Sequence, residues 1–209
     1  GNRPNHTKKA MTLPLLRIFG HGLAKSDWSR HSKSVVWAAA CTAFFGSFRF
    51  GELVANDAKN FNSREILMWN DVKIFPDKSI QIHNKIPKNR TAGGEFVSLF
   101  EFPHHNCCPV SSLIKLKTFA EEKNLMDYPV FTFANKTFLT KAKMNSFLVH
   151  FLEKKIGSKA LFYSCKSFRA GLPSALASFP DLEAEVNIKR WGRWNSQAYE
   201  RYTRLDHLA

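Results

Sequence analysis

The sequence predicts a mainly α protein with one small three-stranded antiparallel sheet, an α+β class. Three observations carry that expectation. Apolar residues recur at helical spacing on both flanks of the 209-residue chain. Between about residues 66 and 102 the pattern changes to short apolar or alternating runs separated by turn residues. No internal repeat, low-complexity tract or Pro/Gly/Ser linker interrupts the chain, and at roughly 150 residues per domain one folded unit suits its length.

Each element has a local reason. Residues 1–12 are polar and basic and are expected to be a flexible segment ahead of a domain at 13–209. Leu13 to Phe19 begins the first helix, because Pro14 suits a first helical position after Thr12. Ser26-Asp27 is read as the cap of a second helix that runs through Trp28 to about Phe45. It contains the apolar run VVWAAACTAFFG, whose 12 residues fall short of the about 20 that a membrane span needs, so a buried helix is expected. Ile66–Phe75, Ser79–His83 and Glu95–Phe102 read as strands, with Pro76-Asp77 as the first turn and a long basic loop, Asn84 to Gly94, in the second. Helical periods return at about Val110–Lys123, Lys141–Lys154, Lys166–Ser178 and Asp181–Trp191, followed by a short last helix from Ser196. Asp181, Glu183 and Glu185 early, with Lys189 and Arg190 late, complement the dipole of the fourth of these helices.

Composition narrows the function. With 44% hydrophobic residues and 19 Phe the chain can build a core, so pervasive disorder is excluded. Lys and Arg number 31 against 17 Asp and Glu, a formal charge of +14, which favours a polyanion partner. The start, GNRPNHTKKA, has no apolar signal region. Cys41, Cys107, Cys108 and Cys165 form no CxxC pair, so neither a disulfide framework nor a zinc ribbon is indicated and a reducing intracellular setting fits. GxxxxGK[ST], GxGxxG, HExxH and GxSxG are all missing. His104-His105-Asn106-Cys107-Cys108 is a poor metal site, because adjacent side chains on an extended chain point apart.

Four basic segments and a terminal tyrosine remain. Arg49 ends the apolar helix in FFGSFRFGEL, with Glu52 three residues on to hold it. Lys85 and Lys88 sit in the hairpin loop NKIPKNR. In CKSFRAG, Lys166 and Arg169 lie one turn apart at a helix start, where cations oppose the dipole and invite an anion. The last segment, WGRWNSQAYERYTR, holds Arg193, Trp194, Tyr199, Tyr202 and Arg204. Taken singly, each has an ordinary reading: Arg49–Glu52 as a structural ion pair, the hairpin lysines as a solvated loop, Trp194 and Tyr199 as packing. Only the joint order points elsewhere.

That order resembles the catalytic domain of the tyrosine recombinases, the phage-type integrases: Arg, a hairpin Lys, His-x-x-Arg, His or Trp, then Tyr. KSFRAG and GRW-x-S-x-A-Y-x-R-Y-x-R look most like the DIRS-type and Crypton mobile-element branch. The resemblance covers about residues 12–206 and implies that family's fold, with a preceding core-binding domain largely absent here. It implies Arg49 and Arg169 as phosphate-clamping catalytic arginines, Glu52 as the support of Arg49, Trp194 as a supporting residue beside Arg193, Lys88 as the hairpin lysine with Lys85 as substitute, and Tyr202 as nucleophile. Lys166 and Arg193 would stand at the usual His and His/Trp positions. Lys85, Arg90, Arg190 and Arg204 would contact DNA. A charged lysine cannot accept a proton as neutral imidazole can, although telomere resolvases carry Lys at that position and GRW recurs in the mobile-element branch.

The implied chemistry is attack by the phenol on a phosphodiester, giving a 3′-phosphotyrosine and a free 5′ hydroxyl, with no cofactor and no metal. The implied partner is double-stranded DNA, bound by a homotetramer on paired sites, with monomers away from DNA, no membrane role, and a nuclear location in a eukaryotic host. Two other readings stay open: an inactive DNA-binding descendant, and a type IB topoisomerase with the same constellation.

Overall fold

The computed structural model describes residues 8–87, 93–101 and 106–177. Helix α1 (Leu13–Lys25) is capped by the Thr12 hydroxyl, which accepts from the Leu15 N–H at 3.3 Å. Helix α2 (Arg30–Phe45) has most of its residues buried and is the axis on which α1, the short α3 (Phe50–Leu53), α4 (Pro109–Glu122), α6 (Cys165–Arg169) and α7 (Gly171–Ala177) pack. Helix α5 (Lys141–Ile156) lies against α1 and α6. Strands β1 (Val72–Ile74), β2 (Ile80–Asn84) and β3 (Glu95–Leu99) form the expected antiparallel sheet in the order β1-β2-β3. Ile80 and Ile82 of β2 and Leu99 of β3 face the core, while Phe96 is left on the outer face, stacked on His83 at 4.7 Å.

Several boundaries differ from the sequence reading. Residues 8–12 of the supposedly flexible segment are bound: the Lys9 and Met11 N–H groups donate to the carbonyls of Phe162 and Ser167 at 2.9 Å, and Met11 is fully buried. Helix α1 runs to Lys25, because Gly20 and Gly22 let it lie close against Trp37 and Phe151. Ser26 closes α1, its hydroxyl donating to the Leu23 carbonyl at 2.7 Å. Trp28 turns onto Phe147 and Phe151 of α5, and Ser29 is the true cap of α2. The first strand is only Val72–Ile74, since the Asp71 carboxylate accepts from the Met68 N–H at 2.8 Å and turns Trp69–Asp71 into a 3-10 helix. The expected helix 166–178 is broken at Ala170: Pro173 has no N–H to give to Arg169, and its ring would collide with that carbonyl. The helices expected at 181–191 and from Ser196 lie outside the described residues.

The core is aromatic. Phe19 of α1 meets Phe151 of α5 edge-on at 5.9 Å and Phe168 of α6 at 6.4 Å, and Phe168 in turn meets Phe50 of α3 at 5.6 Å. Among the described residues no helix is long and apolar enough to cross a membrane.

His31, 5% exposed at the start of α2, packs 5.7 Å from Phe119, with neither ring nitrogen hydrogen-bonded. Burial, assisted by Lys123, pushes its pKa below the ordinary 6.5. The unfolded chain then takes up a proton that the folded chain resists. His31 therefore leaves the fold's stability intact above pH 6.5 and withdraws part of it as pH falls through the lowered folded value. Urea melts at successive pH values should show a midpoint falling on acidification below 6.5, more steeply in the native protein than in His31→Leu.

Candidate active site

Arg49 is placed by the turn that ends α2. The Phe48 N–H donates to the Ala43 carbonyl at 3.1 Å and the Ser47 N–H to that of Phe44 at 3.4 Å, the paired bonds of a Schellman closure. Ser47, fully buried, holds the left-handed position with φ of 49°. A Cβ on Gly46 would stand 2.4 Å from the Phe48 ring, so only glycine fits there. The chain then reverses into α3, and Glu52 grips Arg49 twice. One carboxylate oxygen accepts from the Arg49 backbone N–H at 2.9 Å, the other from Nη1 at 3.0 Å. The Glu52 side chain is only 5% exposed and that of Arg49 34%, so the carboxylate is a buried brace and the guanidinium keeps an open side.

Helix α6 carries the second arginine. Ser164 and Ser167 cap it reciprocally, the Ser164 N–H donating to Ser167 Oγ at 3.0 Å and the Lys166 N–H to Ser164 Oγ at 3.3 Å. Asn145 of α5 accepts the Cys165 N–H at 2.8 Å. Arg169 is 7% exposed, whereas Lys166, one turn earlier, is exposed. The Phe50–Phe168 contact ties the residue after Arg49 to the residue before Arg169, and α3 packs on α6. The structure thus brings together the elements bearing Arg49, Glu52, Lys166 and Arg169.

The sequence reading missed Lys141. Ala55 and Thr140 pair as a parallel bridge that sets the start of α5 beside the end of α3, and Lys141 Nζ stands 3.1 Å from where a Cβ on Gly51 would lie. Its signal was available: Lys141 and Lys143 occupy a helix's first turn with no acid there, the same unfavourable placement that singled out Lys166.

Lys85 is engaged elsewhere. Its Nζ donates to Asp71 Oδ2 and to the Ser63 carbonyl, both at 2.6 Å, at the base of the β2–β3 hairpin. A small recess lined by Glu52, Glu65, His83 and Lys85 sets this hairpin base beside the Arg49 brace. Two other groups near α6 are kept protonated: burial pushes the Cys165 thiol up to about 12, against the opposing effect of Lys141, and raises the Tyr163 phenol. Neither is an activated nucleophile. Lys88, Arg90, Arg190, Arg193, Trp194, Tyr199, Tyr202 and Arg204 lie outside the described residues.

No protein-family model and no curated protein matches the chain. Solved structures do. The XerH site-specific recombinase bound to palindromic difH substrate, a post-cleavage complex, matches 98% of this chain with a TM-score of 0.62 at 14% identity. Its pre-cleavage complex with difH matches 94% with a TM-score of 0.61 at 11% identity. The chain spans 51% and 50% of the length of those chains. The fold is that of the tyrosine recombinase catalytic domain.

The turn that presents Arg49 yields a paired expectation. Gly46→Ala forces a Cβ into the Phe48 ring and should cost about 1–3 kcal/mol. Ser47→Gly removes a left-handed residue and a buried hydroxyl with no hydrogen bond, and should gain roughly 1 kcal/mol. Thermal or urea unfolding of the two variants measures both signs.

Proposed function

We propose that this chain is the catalytic domain of a site-specific DNA recombinase that cleaves and rejoins strands through a tyrosine. The observation that carries the reading is the joining of Arg49, braced by buried Glu52, to the Lys166–Arg169 helix through the Phe50–Phe168 contact. That junction occurs in a fold shared with DNA-bound recombinase complexes.

The chemistry follows from the residue types. A phosphodiester passing through its pentacoordinate state gathers charge on its non-bridging oxygens. Arginines offer fixed, forked donors that stay ionised, which suits Arg49 and Arg169 to those oxygens. Lys141 and Lys166 add positive charge around the same phosphate. Tyr202, whose phenol ordinarily ionises near pH 10, is activated because those cations lower the energy of the phenolate, and its proton passes to solvent water. Its oxygen bonds to phosphorus, the bond to the 5′ oxygen breaks, and Lys88 gives that oxygen a proton. The covalent 3′ link conserves the bond, so a 5′ hydroxyl of another strand reverses the step and completes exchange. Lys85 is the weaker choice of acid, since its ammonium is held by Asp71. The KSFRAG and GRW segments favour a mobile-element enzyme of the DIRS or Crypton kind, working in the nucleus as a tetramer on paired sites.

A second reading rests on one observation: Lys166 and Arg193 replace the imidazole and the His/Trp expected at their positions, which favours a DNA-binding descendant without cleavage. A nicked suicide duplex separates the two. The active enzyme should leave a covalent adduct, mapped by mass spectrometry to Tyr202 and lost in Tyr202→Phe, with Arg49→Ala and Arg169→Ala each slowing its formation about 100- to 1,000-fold. Attachment at Tyr199, or binding with no adduct from the native chain, overturns the proposal.

Duplex affinity measured across salt concentrations tests the added cation. The plot of log K against log salt should fall steeply, and Lys141→Ala should reduce its slope by about 1 while weakening all sequences alike.

A further inference from the structure

A groove of about 710 Å³ lies between α1, the first half of α2 and the start of α4. It sits toward the opposite end of α2 from Arg49; sixteen residues of helix span about 24 Å. Arg17 and His21 of α1, Arg30 and Lys33 of α2, and Lys115 of α4 line it, and no acidic side chain does so among the described residues. The floor is apolar and built to be rigid. Trp37 donates its indole N–H to the Asn106 carbonyl at 3.1 Å, and its ring is pressed so close to α1 that a Cβ on Gly20 would stand 2.5 Å away. Leu23 and the buried Ser34 complete it. Lys33 is fixed at the rim by donating to the Ala24 carbonyl at 2.9 Å, and the Arg17 guanidinium lies against the Cys107 thiol.

Cations gathered around one recess repel each other unless an anion joins them. The recess has the size of a ligand site, commonly about 300–1,000 Å³. Its shape selects the kind of anion. Duplex DNA offers a convex rail of phosphates and would ride over the rim without filling an indole-floored hollow. A polypeptide carrying carboxylates beside an apolar side chain satisfies both parts at once: an anchor buried at the centre and charges on a polar edge. We propose that this groove docks an acidic segment of a partner polypeptide, its carboxylates on Arg30 and Lys115 and one aromatic or aliphatic side chain against Trp37. The site stands apart from the DNA chemistry proposed above and is tested without DNA cleavage.

Fluorescein-labelled 12-residue peptides supply the probe for anisotropy titrations of the intact chain at about 150 mM salt, where exposed charges are already screened beyond about 8 Å. One peptide has a central Trp flanked by Glu and Asp, one has the same acids with Ser at the centre, and one has Lys and Arg around the Trp. A single-stranded oligonucleotide of similar charge is the fourth probe. Saturable binding is expected for the acidic Trp peptide alone. It should weaken about tenfold or more in Arg30→Glu/Lys115→Glu, which reverses two rim charges, and in Ala24→Trp, which fills the groove from an exposed position on α1. Melting curves establish that both variants remain folded, and the two act by different means. Absence of saturable binding overturns the proposal. So does equal binding of the Ser-centred peptide, or indifference to Ala24→Trp, either of which reduces the effect to diffuse charge. Oligonucleotide binding with the same sensitivity to both variants would make the groove a nucleic-acid site instead.

Discussion

An aromatic contact joins the two elements that carry Arg49 and Arg169. Phe50 and Phe168 meet at 5.6 Å, and each is the chain neighbour of an arginine far from the other in sequence. Phe168 also rests on Phe19, so the junction is anchored in the core and not on a loop. Apolar burial of this kind contributes about 1.5–3 kcal/mol for each large side chain. The turn at 46–48 and the capping serines of α6 then fix the direction each arginine takes. Packing positions the charge; the charge does not position the packing.

Glu52 has a related task. A carboxylate that took up every guanidinium donor would leave none for the phosphate contact proposed above. By spending one oxygen on the Arg49 backbone N–H and the other on Nη1, it locks the arginine's orientation and leaves its remaining donors and its open side to a ligand. The arrangement resembles a clamp more than a closed ion pair. It differs from Lys85, whose ammonium is bound by Asp71 and a carbonyl together.

The helix-sheet-helix order was legible in the sequence because it rests on periodicity and turn chemistry: the apolar α2, the Pro76-Asp77 turn and the glycines closing the hairpin are local signals. What was not legible depended on tertiary partners. Trp28 reads as the first turn of α2 until Phe147 and Phe151 are there to take it, and residues 8–12 read as a tail until the carbonyls of Phe162 and Ser167 are in place. Ile66–Phe75 has strand composition, but Asp71 captures the Met68 N–H locally before a ladder can form. Of the proposed site, Arg49, Glu52, Lys166 and Arg169 were nominated by the order and spacing that carry the family resemblance. Lys141 was overlooked because no motif includes it, although its place in a helix's first turn was as anomalous as that of Lys166.

That anomaly has a physical consequence. Helices α5 and α6 both begin with lysines and no acid, at the ends where the backbone dipole already concentrates positive charge, and both starts converge beside α3. Each placement costs stability, by about 0.3–1 kcal/mol at an exposed terminus. A fold that served only itself would relieve the strain with a single Asp or Glu, as capping boxes commonly do. Leaving the cations in place makes sense when an anion supplies the missing charge from outside. The electrostatic cost carried by these helix starts is what the binding of a phosphate, as proposed above, would relieve.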